Sequence, residues 1–184
     1  MTPIASRSEA IQRMREPDIR IAAATDADLT AVAELAGVIW RSHYPGIITA
    51  GQIEYMLEHG YSHAALHRFV AEPGAALLLA RADARLIAFG AYHRADGTGE
   101  LKLEKLYVHP DYHGRGVGSR LIRQVEAAAA AQGLPTLVLN VNKNNVKAIR
   151  AYEANGFAIR ESVVLDIGGG YVMDDYIMAK RMAP

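Results

Sequence analysis

Three glycines fall within six residues at 113–118, in the order His-Gly-Arg-Gly-Val-Gly, and this segment restricts the possible folds more than any other. It follows an alternating apolar stretch, 101–108, and precedes Val117, Leu121 and Val125, which share one face of a helix. The segment is therefore predicted to join a strand to a helix. Glycine lets the backbone approach a ligand, and N–H groups at a helix N-terminus stabilise negative charge, so a phosphate site is expected here.

Two common phosphate-binding motifs do not fit this loop. A Walker loop ends in Gly-Lys-Ser/Thr, whereas Gly118 is followed by Ser119 and Arg120. A dinucleotide fingerprint needs an acidic residue about twenty positions later, where the chain has Val138 to Asn142. A glycine-rich turn without a ligand remains an alternative at this point.

The length and composition of the chain exclude several classes of protein. Its 184 residues suffice for one core but not for two full domains, so residues 19–184 are predicted to form a single domain. Residues 1–18 lack the apolar region of a signal peptide and are predicted to be a flexible N-terminal extension. No segment approaches the ~18 apolar residues of a membrane span, which favours a cytoplasmic protein without a membrane partner. The absence of cysteine excludes disulfides, thiolate nucleophiles and cysteine-ligated zinc, and no metal site is predicted.

Charge is distributed unevenly along the chain. The formal net charge is zero, which argues against nucleic acid as a partner. Between His113 and Arg150, however, six lysines and arginines stand against one acidic residue, Glu126. The excess of positive charge suits a phosphate site in the same segment, and a solvated basic surface is the alternative.

Hydrophobic periodicity and turn residues predict alternating helices and strands, typical of an α/β (α+β) protein. Helices are predicted at 25–42, 52–58, 64–70, 117–132 and 145–153. Strands are predicted at 19–23, 76–80, 86–92, 101–108, 136–141, 157–166 and 171–180. Within 101–108 the alternation slips by one residue between Leu103 and Leu106, which indicates a β-bulge, although a chance irregularity gives the same pattern.

Several spaced elements match one family in sequence order. From Glu104 to Phe157 the chain carries Leu-Tyr-Val-His-Pro, the glycine loop, Leu-Asn-Val, the run Asn145 to Ile149, Tyr152 and Gly156-Phe157. This order resembles the GNAT acetyltransferase superfamily. Further resemblance to the bacterial polyamine-acetyltransferase-like branch comes from Trp40, the Tyr44 region, Tyr55-Met56 and the Asp-Tyr-Ile-Met sequence at 175–178. The family usually has Gln or Arg at the first loop position, where this chain has His113.

The resemblance implies a GNAT fold, with a mixed, mostly antiparallel central sheet of about seven strands, flanking helices and a splayed parallel strand pair. It also implies acetyl-CoA as the cofactor. The main chain of the glycine loop would hold the pyrophosphate, and the backbone of 106–108 would pair with the pantetheine arm like an added strand. The implied cofactor-binding residues are Leu106, Tyr107, Val108, His113, Gly114, Arg115, Gly116, Val117, Gly118, Ser119, Asn140, Asn145, Lys147 and Tyr152.

Three residues are expected to take part in the chemistry that the resemblance implies. The Leu106 N–H would stabilise negative charge on the thioester oxygen, and the Tyr152 hydroxyl would protonate the leaving thiolate. Glu104, beside the bulge, is the candidate base that removes a proton from the amine, directly or through water. Glu104 could instead be an exposed strand carboxylate or form an ion pair with a neighbour such as Lys105. The alternative for Tyr152 is a side chain that packs in the core.

Together these features predict an N-acetyltransferase that moves an acetyl group from acetyl-CoA to a primary amine by direct attack. A small molecule such as a polyamine is the expected acceptor, and a homodimer is compatible with the prediction. Acetylation of a protein N-terminus or lysine is one alternative, and a non-catalytic acyl-CoA-binding sensor is another. The acceptor-binding candidates are Trp40, Tyr44, Tyr55, Asp174 and Asp175. The aromatic residues also suit a core, and the aspartates also suit a solvated hairpin end.

Overall fold

The computed structural model describes residues 18–182, so residues 1–17 of the predicted extension lie outside it. The α-helices are α1 (Leu29–His43), α2 (Ala50–Gly60), α3 (His63–Ala71), α4 (Val117–Ala131) and α5 (Val146–Ala154). The strands are β1 (Ile19–Ala23), β2 (Ala76–Ala82), β3 (Arg85–Arg94), β4 (Leu101–Val108), β5 (Thr136–Asn142), β6 (Ala158–Gly168) and β7 (Tyr171–Arg181). Every predicted element is therefore present, with bounds that move by a few residues. Two short 3₁₀ turns, Asp26–Asp28 and Pro110–Tyr112, precede α1 and the glycine loop.

Side-chain caps explain where two of the helical segments begin. The predicted capping box is present, because the Thr25 backbone N–H donates to Asp28 Oδ2 at 2.8 Å. At α5 the Asn145 side chain accepts the Ala148 N–H at 3.3 Å. In both places a polar side chain satisfies an N–H group that has no partner within the helix.

The seven strands form one sheet in the order β1-β2-β3-β4-β5-β7-β6. Neighbouring strands are antiparallel except β4 and β5, which pair in parallel at only two positions, Leu101 with Leu137 and Lys102 with Val138. Beyond Lys102 these two strands separate and leave a gap. The predicted mixed sheet with a splayed parallel pair is thus confirmed, and the gap positions the site described below.

The phase slip predicted in β4 is a β-bulge. Lys105 pairs with Ala91 of β3, and Leu103 pairs with the next β3 residue, Tyr92, so Glu104 is the extra residue. Backbone N–H and C=O groups of successive strand residues face alternate edges of the strand. The extra residue inverts this alternation for every residue of β4 that follows the bulge. The bulge therefore decides which backbone groups of β4 face the gap.

Helices cover both faces of the sheet, and β3 shows how the sequence allows this. Phe89 and Ala91 pack in the cluster formed with α1, α2 and α3, whereas Ala88 packs with Leu121 of α4. Because successive strand residues point to opposite faces, a strand that is apolar on both faces needs a covering layer on each. Over residues 18–182, no helix combines the length and the apolar character needed to cross a bilayer.

Candidate active site

A cavity of about 790 Å³ opens where β4 and β5 separate. Its walls come from the end of α1, β4, the glycine loop with the start of α4, the end of β5, α5 and β7. These segments are distant in sequence, from Ile39 to Asp175, and the splayed strand pair brings them together. The cavity therefore connects the predicted phosphate loop to the interior between β4 and β5.

The glycine loop at 113–118 has the backbone geometry of an anion site. Gly114 and Gly116 have φ values of +75° and +72°, and Gly116 is the N-cap of α4. A side chain at either position would be strained, although nothing lies within 4 Å of the place its Cβ would take. Within residues 18–182, no acceptor takes the backbone N–H groups of 114–119. Unpaired donors at the positive end of a helix dipole are the arrangement that binds phosphate.

His113 braces this loop against two other segments. Its Nε2–H donates to the Val108 carbonyl oxygen at 2.9 Å, and the Lys147 ammonium donates to its Nδ1 at 2.9 Å. The imidazole therefore ties the end of β4 to α5 where the family usually has Gln or Arg. The Arg115 guanidinium lies 5.2 Å from the centre of the Tyr112 ring, so two cations remain beside the loop.

The edge of β4 that faces the gap offers unpaired backbone groups. The His109 N–H donates to Ile87 of β3 at 2.8 Å, which fixes the alternation of the ladder after the bulge. Tyr107 consequently faces β3, whereas the backbone groups of Leu106 and Val108 face the gap. The strand thus presents a Leu106 N–H and flanking groups to an extended ligand.

Tyr152 lies on α5 and lines the cavity. Its ring packs edge-to-face against Phe157 with centroids 5.8 Å apart, and its hydroxyl has no hydrogen-bond partner in the described part of the chain. Burial raises the pKa of Tyr152 well above its ordinary value. The hydroxyl therefore stays protonated at neutral pH and is available as a donor.

Glu104, the bulge residue, also lines the cavity, but cations surround it. Its carboxylate lies 3.0 Å from Lys102 Nζ, 3.5 Å from His93 Nε2 and 3.7 Å from Arg68 Nη2. Burial raises the pKa of Glu104, but the His93 hydrogen bond and the charges of Lys102 and Lys105 lower it further, so the pKa falls below its ordinary value. The carboxylate stays ionised and has a low affinity for protons.

Asn145 and Asn140 both line the cavity. Besides capping α5, the Asn145 side-chain oxygen accepts a hydrogen bond from His43 Nε2 at 3.1 Å. Burial lowers the pKa of His43, so the ring is neutral at pH 7. His43 is a cavity residue that sequence reasoning missed, because nothing in α1 signals that its last turn reaches a helix more than a hundred residues later.

Trp40 and Tyr44 line the cavity and also belong to the core. They are 2% and 7% exposed, and their rings stack with centroids 4.3 Å apart. The Trp40 indole N–H donates to the Tyr61 hydroxyl at 2.9 Å. These two residues therefore lie in the cavity wall and in the core at once, and their role in acceptor binding stays a prediction.

The other three acceptor-binding candidates lie at different places relative to the cavity. Tyr55 is not among the lining residues, and its hydroxyl donates to the Ile167 carbonyl oxygen at 2.8 Å beside the β6–β7 turn. Asp174 is also outside the cavity, where it pairs with Lys143 on the surface. Asp175 lines the cavity and is only 4% exposed. The structure therefore brings one of the two neighbouring aspartates to the site.

Lys105 is a second cavity residue that the sequence did not predict as part of the site. Its ammonium lies 4.3 Å from the centre of the Tyr61 ring, and burial lowers the pKa of Lys105 to about 8. The bulge turns this lysine inward, which periodicity alone could not show. The alternation slip in β4 was the only sequence signal near it.

The fold and site together define a class of protein. Free N–H groups at a helix N-terminus, beside a strand edge left open by a splayed parallel pair, suit a ligand with a diphosphate and an extended amide arm. A neutral hydroxyl and a main-chain donor at the far end suit acyl transfer. These features define an acyl-CoA-dependent transferase, and the residues present fit coenzyme A.

Comparison with known proteins identifies the family. The model of the Acetyltransferase (GNAT) family matches residues 40–157. An uncharacterized N-acetyltransferase of Mycobacterium tuberculosis is 32% identical over 161 residues, which cover 86% of this chain and 99% of the relative. The chain belongs to the GNAT family and is an acetyl-CoA-dependent N-acetyltransferase.

Two further comparisons lead to Thermoplasma acidophilum. A spermidine N(1)-acetyltransferase is 28% identical over 158 residues, covering 84% of this chain and 91% of the relative. The crystal structure of PaiA N-acetyltransferase in complex with coenzyme A superimposes with a TM-score of 0.76 at 27% identity, covering 89% of this chain and 99% of that chain.

Proposed function

We propose that this enzyme acetylates a small primary amine that is positively charged at neutral pH, with polyamines as the leading class of acceptor. The observation that carries the proposal is Asp175, a buried carboxylate in the wall of the cavity beside the β4–β5 gap, with one oxygen unpaired among the described residues. Carboxylates in a partly desolvated cavity favour a cationic ligand. The similarity to a spermidine acetyltransferase over most of both chains supports the same class.

In the proposed reaction, backbone N–H groups of the enzyme bind acetyl-CoA, and one of them polarises the thioester carbonyl. Acetyl-CoA supplies a thioester carbonyl as the electrophile. The amides of Gly114 to Ser119 hold its diphosphate, and the gap-facing edge of β4 aligns the arm. The Leu106 N–H then stabilises the negative charge that develops on the carbonyl oxygen as the amine attacks. The Tyr152 hydroxyl donates its proton to the departing sulfur.

The amine must lose a proton before it attacks, because an alkylammonium has no free electron pair. Glu104 is the candidate that the sequence predicts, acting directly or through water. Asp175 is the second carboxylate in the cavity. Glu104 keeps its charge, but the charges of Lys102 and Lys105 offset it. Asp175 therefore contributes more to amine binding than Glu104 does.

A thiol-release assay tests the proposed function. The protein with acetyl-CoA is offered polyamines, amino acids, aminoglycosides and peptides at equal concentrations. We expect kcat/KM for spermidine or spermine to exceed that for a peptide N-terminus by about tenfold or more, since the uncompensated Asp175 carboxylate favours a cationic amine by ~1.4 kcal/mol or more. A preference for peptides would establish a protein acetyltransferase instead. Coenzyme A binding without thiol release on any acceptor would indicate a sensor.

We also propose that the protein forms a homodimer through the outer strand of the sheet. β6 is an edge strand in the order of the described sheet, and Ile159, Val164 and Leu165 are 46%, 66% and 42% exposed. Unpaired backbone groups beside exposed apolar side chains favour pairing with another strand. Light scattering should give twice the 20.0 kDa chain mass, and Val164→Lys should shift it toward the monomer.

A further inference from the structure

Asp175 is a buried carboxylate without a full set of partners. It lies on β7 opposite Asn142 of β5, at the level where β4 and β5 have already separated. The residue is 4% exposed, it lines the cavity, and its Oδ1 atom has no hydrogen-bond partner within residues 18–182. Buried polar atoms are nearly always paired, so an unpaired carboxylate oxygen in a cavity wall indicates a ligand that completes it.

The cations near Asp175 are engaged with other carboxylates. Lys143, which follows β5, pairs with Asp174, and Lys102 of β4 lies 3.0 Å from Glu104. The Asn140 amide from β5 also faces Asp175. Neither lysine forms an ion pair with Asp175, so the ammonium group of a bound amine would be the counter-ion of this carboxylate.

The charges around Asp175 also set its affinity for protons. Burial and the neighbouring Asp174 raise the pKa of Asp175 to about 6, and the Asn140 amide, Lys102 and Lys143 oppose that rise. Tyr44, the residue that follows α1, is near the same carboxylate and stays protonated, because burial raises its pKa. A carboxyl group that titrates near neutral pH suits proton transfer better than one held ionised by several cations.

Glu104 provides the contrast within the same cavity. Lys102, His93 and Arg68 all approach its carboxylate, so an incoming ammonium would compete with two cations and a histidine ring already present. Its lowered pKa makes Glu104 a weak proton acceptor. Of the two carboxylates in the cavity, Asp175 has the unpaired oxygen and the greater affinity for a proton.

We propose that Asp175 binds the ammonium group of the acceptor through its free Oδ1 and takes the proton that must leave before attack. This assignment rests on the proposed function. The Asp175 carboxylate accepts one proton from the alkylammonium, which leaves a neutral amine. The amine nitrogen forms a bond to the thioester carbonyl carbon, and the bond from that carbon to sulfur breaks.

The remaining protons balance as the products form. Tyr152 gives its proton to the departing sulfur, and the second proton lost by the nitrogen restores the Tyr152 hydroxyl through solvent. Asp175 releases its proton to water once the uncharged amide leaves. The products are the acetylated amine, the coenzyme A thiol and one proton.

The test compares Asp175→Asn with Asp96→Asn, the same change at an exposed aspartate in the turn before β4, outside the cavity. Calorimetry with coenzyme A checks that both variants fold and bind the cofactor with affinity within about threefold of wild type. Spermidine is then titrated into the coenzyme A complex. We expect Asp175→Asn to weaken spermidine binding about tenfold or more and Asp96→Asn to leave it within about threefold.

The pH dependence of kcat/KM for spermidine provides the second readout. In wild type we expect activity to fall as the pH drops below about 6, because Asp175 becomes protonated. Asp175→Asn should lose roughly 10²-fold in kcat/KM and should lack that acidic limb, while Glu104→Gln should retain it. If Glu104→Gln removes the limb and Asp175→Asn keeps it with near-normal binding, the assignment to Asp175 is wrong. A wild-type enzyme inactive toward every amine would instead refute the proposed function.

Discussion

The two walls of the cavity are built in different ways. The donor wall, which we propose binds acetyl-CoA, is one continuous segment from the bulge in β4 through the glycine loop to the start of α4, and it offers mainly backbone N–H groups. The acceptor wall, which we propose binds the amine, is assembled from α1, the end of β5, α5 and β7, and it offers side chains such as His43 and Asp175. The first wall depends on local conformation, whereas the second depends on how distant segments pack.

This difference indicates how each wall tolerates change. A main-chain site is insensitive to side-chain identity except where a residue must have positive φ, as at Gly116. A side-chain site depends on each group and on the charges that surround it. Donor recognition should therefore be lost through backbone changes, and acceptor chemistry should be altered by single functional groups.

The largest effect is expected from Gly116→Val in the donor wall. The residue has a φ of +72° and caps α4, so a β-branched side chain would rotate the N–H groups away from the diphosphate. We expect the affinity for coenzyme A, measured by calorimetry, to fall by about 100-fold or more, which corresponds to ~2.7 kcal/mol.

Gly97→Val is the matched control for that change. Gly97 has a φ of +69° and equally open surroundings, but it lies in the turn before β4, away from the cavity. Both variants should carry similar backbone strain, of order 1–2 kcal/mol. Wild-type affinity in Gly116→Val, or equal losses in the two variants, would contradict a main-chain cradle.

Tyr152→Phe should change chemistry without changing donor binding. The variant keeps the ring that packs against Phe157 and removes the free hydroxyl. Turnover should fall by up to ~10²-fold, while coenzyme A affinity stays within about twofold. Tyr171→Phe, outside the cavity, should leave turnover nearly unchanged. Equal turnover of Tyr152→Phe and wild type would remove this hydroxyl from the mechanism.

Asp175→Asn should make the protein more stable at alkaline pH. Burial and Asp174 raise the pKa of Asp175 from an unfolded value near 4 to about 6, so the folded state binds a proton more tightly than the unfolded chain. The ionised carboxylate therefore costs stability above pH 6 and costs none below pH 4. We expect urea unfolding at pH 8 to show a gain of about 1–2 kcal/mol in the variant, which disappears near pH 4.

Glu104→Gln should show the opposite, somewhat smaller change. Cations lower the pKa of Glu104 in the folded state, so its charge contributes stability that is present above its unfolded pKa and is lost on acidification. The variant should be about 1 kcal/mol less stable than wild type at pH 7, with the difference shrinking below pH ~4. Two variants that shift in the same direction at pH 7–8 would contradict the electrostatic contrast between these carboxylates.

Local patterns predicted much of the fold and the backbone conformation of the glycine loop. The strand bounds of β1 and β4 were predicted to the residue, and the slip between Leu103 and Leu106 located the bulge at Glu104. These features could be predicted because alternation, caps and glycine positions act over a few neighbouring residues. The glycine loop belongs to the same group, since its donors are its own backbone.

The acceptor wall was predicted less completely. Asp174 and Asp175 are adjacent and chemically identical, and only the pairing of β7 with β5 decides that Asp175 faces the cavity while Asp174 faces Lys143. Tyr55 shares its residue type with Tyr44, yet packing takes it to the β6–β7 turn. Residue type gave no information about these placements.

The sequence by itself determined the glycine cradle, the bulge, the capped helices and membership of an acetyl-transferring family, because each is encoded by residues close together in the chain. The tertiary structure alone decided which carboxylate is neutralised and which keeps an unpaired oxygen. Proton affinity depends on burial and on charges from several strands, and strand order sets those distances.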